Sequence, residues 1–125
     1  MLKIGHRGAK GYEPENTLIS FGKAIDLNVD GIELDVHLSL DGEIMVIHDE
    51  TIDRTTNGKG FVENFTSSQL KELDIPTLIE VLDLVNCNCL VNIELKGIGT
   101  AKPVIDLIEH YILEKNWNYT DFLVS

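Results

Sequence analysis

Two periodicities take turns along the chain. Residues 31–37, Gly31-Ile32-Glu33-Leu34-Asp35-Val36-His37, alternate strictly between apolar and polar. That pattern predicts a β-strand with Ile32, Leu34 and Val36 on one face and Glu33, Asp35 and His37 on the other. Same-face neighbours on a strand lie about 6.5–7 Å apart, so two carboxylates there can lean toward one cation. Residues 89–95 alternate again, with Val91, Ile93 and Leu95 set against Asn92, Glu94 and Lys96. Short apolar runs at 2–5, 44–47 and 122–124 predict three more strands. Between them the apolar spacing becomes helical. Leu18, Phe21, Ala24 and Ile25 stripe a helix expected over 14–27, with Asn16 as its N-cap. Leu78, Val81, Leu82 and Val85 stripe a second, and Val104, Leu107, Ile108 and Tyr111 a third that opens at Pro103. Thr66-Ser67-Ser68-Gln69 and Thr77-Leu78-Ile79-Glu80 are capping boxes, the first opening a short helix to Leu73. Asp41-Gly42 marks a tight turn, and residues 50–64, with Asn57-Gly58 and Gly60, read as loop.

The order is strand, helix, strand, strand, helices, strand, helix, strand. It predicts an α/β fold with a largely parallel sheet. No linker interrupts the pattern, so residues 1–125 are expected to form one unit. Ile32-Glu33-Leu34-Asp35 and Ile93-Glu94-Leu95-Lys96 echo one another and place a glutamate at the same phase of two strands.

Composition narrows the partners. Hydrophobic residues make up 43% of the 125 and charged residues 25%, enough for a core. The net charge of −11 opposes nucleic acid or an anionic membrane as partner, since both call for basic patches. No apolar run approaches the roughly 18 residues of a membrane span. The N-terminal residues run straight into a strand without a signal-peptide pattern, so a cytoplasmic setting is expected. Cys87 and Cys89 are too close for an easy disulfide and lack zinc-site spacing; buried free thiols are expected. His37 and His110 are expected to be solvated.

Four predicted strands end in reactive side chains: His6-Arg7, Glu33 with Asp35, His48-Asp49, and Glu94 with Lys96. A parallel α/β sheet gathers its C-terminal strand ends on one side. Glu33, Asp35 and Glu94 would then converge as three oxygen donors suited to Mg²⁺ or Ca²⁺. A divalent cation removes the repulsion among three carboxylates. Arg7 and Lys96 add positive charge where an anionic group can dock, although Lys96 also stands within reach of Glu94. His6 and His48 supply two imidazoles, one to take a proton and one to give it.

With these residues in place the chain resembles the glycerophosphodiester phosphodiesterase family. The resemblance rests on His6-Arg7-Gly8, Pro14-Glu15-Asn16-Thr17, Glu33-Leu34-Asp35-Val36, His48-Asp49, Asp53-Arg54-Thr55-Thr56-Asn57-Gly58, Ile75-Pro76-Thr77-Leu78 and Glu94-Leu95-Lys96, in that order. It implies a (β/α)8 TIM barrel that cleaves glycerophosphodiesters to glycerol 3-phosphate and an alcohol. It implies His6 and His48 as the acid/base pair, Glu33, Asp35 and Glu94 as ligands of one Mg²⁺ or Ca²⁺, and Arg7 and Lys96 as the phosphate anchors. Glu15 and Asn16 are expected to serve the first loop and helix. A TIM barrel typically needs about 250 residues. The chain is therefore expected to be the N-terminal half barrel, completed by a C-terminal half or by self-association. Two alternatives stand beside this reading. One is a non-catalytic half barrel that binds a partner or a phosphate ligand. The other is a phospholipase D-like enzyme, which the resemblance implies shares the histidines and the acidic triad.

Overall fold

The computed structural model describes residues 2–125. Strand β1 (Ile4–His6) leads to helix α1 (Leu18–Asp26) and strand β2 (Gly31–Leu38), which turns back as β3 (Ile44–Val46). Helices α2 (Ser67–Lys71) and α3 (Leu78–Val85) follow, then β4 (Leu90–Leu95), α4 (Ala101–Glu114) and β5 (Phe122–Val124). The sheet order is β1-β2-β4-β5, all parallel, with β3 added antiparallel to the upper end of β2. Parallel strands need crossovers, and α1, α3 and α4 provide them.

The alternation seen in the sequence sorts the two faces of β2. Ile32, Leu34 and Val36 turn to one face and meet Phe21, Ala24, Leu78, Val81, Leu82 and Val85 of the helices. Val91, Ile93, Val104 and Ile108 extend the same core. A smaller cluster of Met45, Ile47, Ile52, Val62, Leu70 and Ile75 holds the segment between β3 and α3. The other face of β2 and β4 is left to Glu33, Asp35, His37, Asn92 and Glu94.

Both capping boxes form. Thr66 and Gln69 open α2, and Thr77 and Glu80 open α3. α3 then stops at Asn86, whose left-handed backbone lets its N–H close on the Leu82 carbonyl. The start expected for α1 is corrected. Its N-cap is Thr17, whose hydroxyl accepts from the Ser20 N–H, and the helix begins at Leu18. Asn16 cannot cap because its backbone is left-handed (φ 54°) and its amide reaches away to Asp35. The cysteines also differ from expectation: both are free, but Cys87 is exposed and Cys89 half-buried. Cys87 lies in the turn after the α3 cap with φ 64°, which carries it off the core. No helix among the described residues is long and apolar enough to cross a membrane.

Candidate active site at the strand ends

Register decides which side chains meet. His6 stands beside Glu33 across the β1–β2 ladder, and Asp35 stands beside Glu94 across β2–β4. Glu33 itself faces Asn92, so the sequence echo is offset by two residues in space. The glutamates do share a phase, as the alternation predicts. One carboxylate oxygen from each of Glu33, Asp35 and Glu94 lies within 4.8 Å of the others. Asp35 is only 1% exposed and Glu33 8%. Glu33 Oε1 and Asp35 Oδ1 are buried without a hydrogen-bond partner. Burial, reinforced by the neighbouring charges of Asp35 and Glu94, pushes the Glu33 carboxyl up to about 7. Glu94 is held low, chiefly by the Lys96 ammonium 2.9 Å away.

β1 delivers His6 and Arg7. The chain leaves the strand through two left-handed residues, Arg7 (φ 52°) and Gly8 (φ 82°). A Cβ on Gly8 would fall 2.5 Å from Ser20 Oγ and 2.9 Å from the Ser20 carbonyl carbon, so only glycine lets α1 come this close. The Ser20 hydroxyl donates to the Arg7 carbonyl, which fixes the strand end. His6 Nε2 then lies 3.1 Å from Glu33 Oε2. Arg7 lies between Glu15, 3.3 Å from Nη1, and Asp35, 3.4 Å from Nε. Asn16 donates its amide to Asp35 Oδ2 at 3.1 Å.

His48 arrives by another route. It follows an antiparallel strand, and the β2–β3 hairpin folds back until the Ile47 N–H donates to the Asp35 carbonyl. His37, expected at the solvent, is buried and donates Nε2–H to the His48 carbonyl at 2.9 Å. It stays dry because β2 is covered there: a Cβ on Gly97 would lie 3.0 Å from the His37 Cα and Nδ1. The His48 Nδ1 faces Asp49 Oδ1 at 2.8 Å. Arg54 and His48 together hold the Asp49 carboxyl far below the usual carboxylate range. His110 is exposed, as expected.

Of the seven residues singled out in the sequence, His6, Arg7, Glu94 and Lys96 stand at or just past the C-terminal ends of β1 and β4, Glu33 and Asp35 lie within β2, and His48 follows β3. Glu33, Asp35 and Glu94 converge, and His6 joins them through Glu33. Arg7 touches Asp35, and Lys96 is engaged by Glu94. Four further contributors, Glu15, Asn16, His37 and Arg54, lie outside those seven: the resemblance quotes Arg54 in a motif without a role, Glu15 and Asn16 are expected to serve the first loop and helix, and His37 is expected at the solvent. Glu15 is 8% exposed at its side chain and receives two 2.9 Å hydrogen bonds from Arg54. Arg54 sits in an aperiodic loop 39 residues away, and no local pattern announces that pairing.

Comparison with known proteins gives the family and the fold. The model of the glycerophosphoryl diester phosphodiesterase family matches residues 6–120. A glycerophosphodiester phosphodiesterase of Caldanaerobacter subterraneus subsp. tengcongensis is 47% identical over 91% of this chain and 55% of its own length. The crystal structure of the Agrobacterium tumefaciens glycerophosphodiester phosphodiesterase superposes with a TM-score of 0.85 at 37% identity, covering all of this chain and 58% of that one. An Oleispira antarctica phosphodiesterase, solved in complex with the product sn-glycerol-3-phosphate, gives 0.76 at 30% identity over 97% of this chain and 54% of that one. The chain spans about half the length of the relatives it matches. Its four parallel strands with their outer helices are half of a TIM-type barrel. The chain belongs to the glycerophosphoryl diester phosphodiesterase family.

Proposed function

We propose that the chain carries the metal and acid/base machinery of a divalent-cation-dependent phosphodiesterase that releases glycerol 3-phosphate and an alcohol from glycerophosphodiesters. The observation that carries this is the convergence of three carboxylate oxygens within 4.8 Å, two of the carboxylates buried, beside His6 and Arg7. The unpartnered Glu33 Oε1 and Asp35 Oδ1 fit a cation, because buried acceptors otherwise go unsatisfied at a cost of about 1–3 kcal/mol each. An all-oxygen donor set favours Mg²⁺ or Ca²⁺ over zinc. When bound, such a cation neutralises the carboxylates and polarises a phosphoryl oxygen.

The chain's own groups supply the rest. Arg7 and Lys96 hold the phosphate, the guanidinium through paired N–H donors. Asp49 accepts from His48 Nδ1–H, which leaves Nε2 as a lone pair able to take a proton from the attacking hydroxyl. His6 delivers a proton to the departing alkoxide. The attacking group is water or the substrate's own neighbouring hydroxyl, the latter giving a cyclic phosphate that water opens. Residues 1–125 act as the N-terminal half of the catalytic barrel, and a C-terminal half or a second copy closes the remaining wall.

The test is to incubate glycerophosphocholine with this chain and with one extended to the length of its relatives, with and without chelator. Glycerol phosphate released by the extended chain and suppressed by chelator supports the reading. Release by neither chain defeats it.

A further inference from the structure

We propose that Arg54 is a positioning residue that sets which nitrogen of His48 carries the proton, acting through Asp49. The proposal rests on the reading of His48 as the proton-transfer group. Arg54 Nε donates to Asp49 Oδ2 at 2.8 Å and Nη2 to Asp49 Oδ1 at 3.0 Å. Its Nη1 and Nη2 donate to the two oxygens of Glu15, each at 2.9 Å. Four of the five guanidinium N–H donors are consumed in this way. Although its side chain is 49% exposed, Arg54 is therefore not a free anchor for a substrate phosphate.

Its effect lies in the plane it imposes. A lone aspartate next to an imidazole rotates freely about its last torsion. A two-point contact from a planar guanidinium fixes that rotation and aims Oδ1 at His48 Nδ1, 2.8 Å away. A carboxylate only accepts, so Nδ1 keeps the hydrogen and Nε2 is left as the reactive atom. The other side of the fork grips Glu15, which also contacts Arg7. One side chain thereby ties the loop bearing Asp49 to the loop after β1. Lysine cannot substitute, because its donors radiate from a point and do not span two carboxylates in a plane.

The experiment reads the ring nitrogens of His48 by NMR on histidine-labelled protein, using the chain extended to the length of its relatives. Wild type, Arg54→Gln, Arg54→Lys and Asp49→Asn are compared, with kinetics on the same samples. Wild type is expected to hold Nδ1–H, and both Arg54 variants to gain a population with the proton on Nε2. Turnover in the Arg54 variants is expected to fall on the order of 10–100-fold, with KM little changed. Adding Arg54→Gln to Asp49→Asn is expected to cost less than about twofold more, since both act on one contact. An unchanged His48 spectrum in the Arg54 variants overturns the proposal, as does a full multiplicative loss in the double variant. Should Arg54→Gln not fold, Arg54→Lys, which keeps the charge, gives the same readout. Should the extended chain hydrolyse no glycerophosphodiester, the spectra still decide the role of Arg54 independently of the proposed activity.

Discussion

Asp35 and Glu94 are direct partners on adjacent parallel strands, so their side chains leave the sheet at one height and on one face. Glu33 lies one pleat below on β2 and completes the group. The cluster is therefore set by strand register, which the core behind it holds rigid. A one-residue slip of β4 would turn Glu94 into the packed helical layer and bring Leu95 out in its place.

The position of Glu33 gives a pH signature. Its carboxyl is pushed up to about 7, chiefly by burial, from an ordinary 4.5. The folded chain thus holds this proton more tightly than the unfolded chain. Its contribution to stability is complete below 4.5, is lost as pH rises toward 7, and leaves a constant penalty above. In chelator, Glu33→Gln is expected to melt with wild type in acid and above wild type in mildly alkaline buffer. Paired thermal melts check this; equal midpoints at alkaline pH would contradict it.

The imidazoles give a kinetic prediction. His6→Ala and His48→Ala are each expected to cost at least about 10²-fold in turnover of glycerophosphocholine by the extended chain. Divalent-cation affinity is expected to change little, because neither ring is among the three oxygen ligands. Steady-state rates alongside calorimetric titration separate the two effects. Near-wild-type turnover in both variants would remove them from the mechanism.

Gly8 gives a structural prediction. An alanine there meets both a left-handed backbone and the backbone of Ser20, which cannot move without shifting α1. Gly8→Ala is expected to destabilise the chain by about 1–3 kcal/mol, more than the roughly 1 kcal/mol expected for removing the α3 cap with Thr77→Ala. Denaturant unfolding of the two variants ranks them.

Where a residue's placement follows from its own neighbours in sequence, that placement was legible. The alternation through Ile32 to His37 placed Glu33 and Asp35 on one face, and the Thr77–Glu80 box placed the start of α3. The metal-ligand candidates and both candidate imidazoles were visible because each lies on a strand or directly follows one. His37 departs from its expected exposure because alternation assigns a face and not its cover, and Gly97 packs directly onto it. Asn16 departs from the expected N-cap because capping positions and left-handed turns favour the same residue types, and only the reach to Asp35 separates them. Arg54 and Glu15 each stand in a motif of the resemblance, but neither motif announces their pairing, since a contact across 39 residues is created by the fold.

The most direct test of the account is a calorimetric titration of Mg²⁺ or Ca²⁺ into the protein and its Asp35→Asn and Glu94→Gln variants. The account predicts one site per chain, weakened at least about tenfold by either substitution. Binding that survives both substitutions unchanged, or no binding by the unaltered protein, would contradict it.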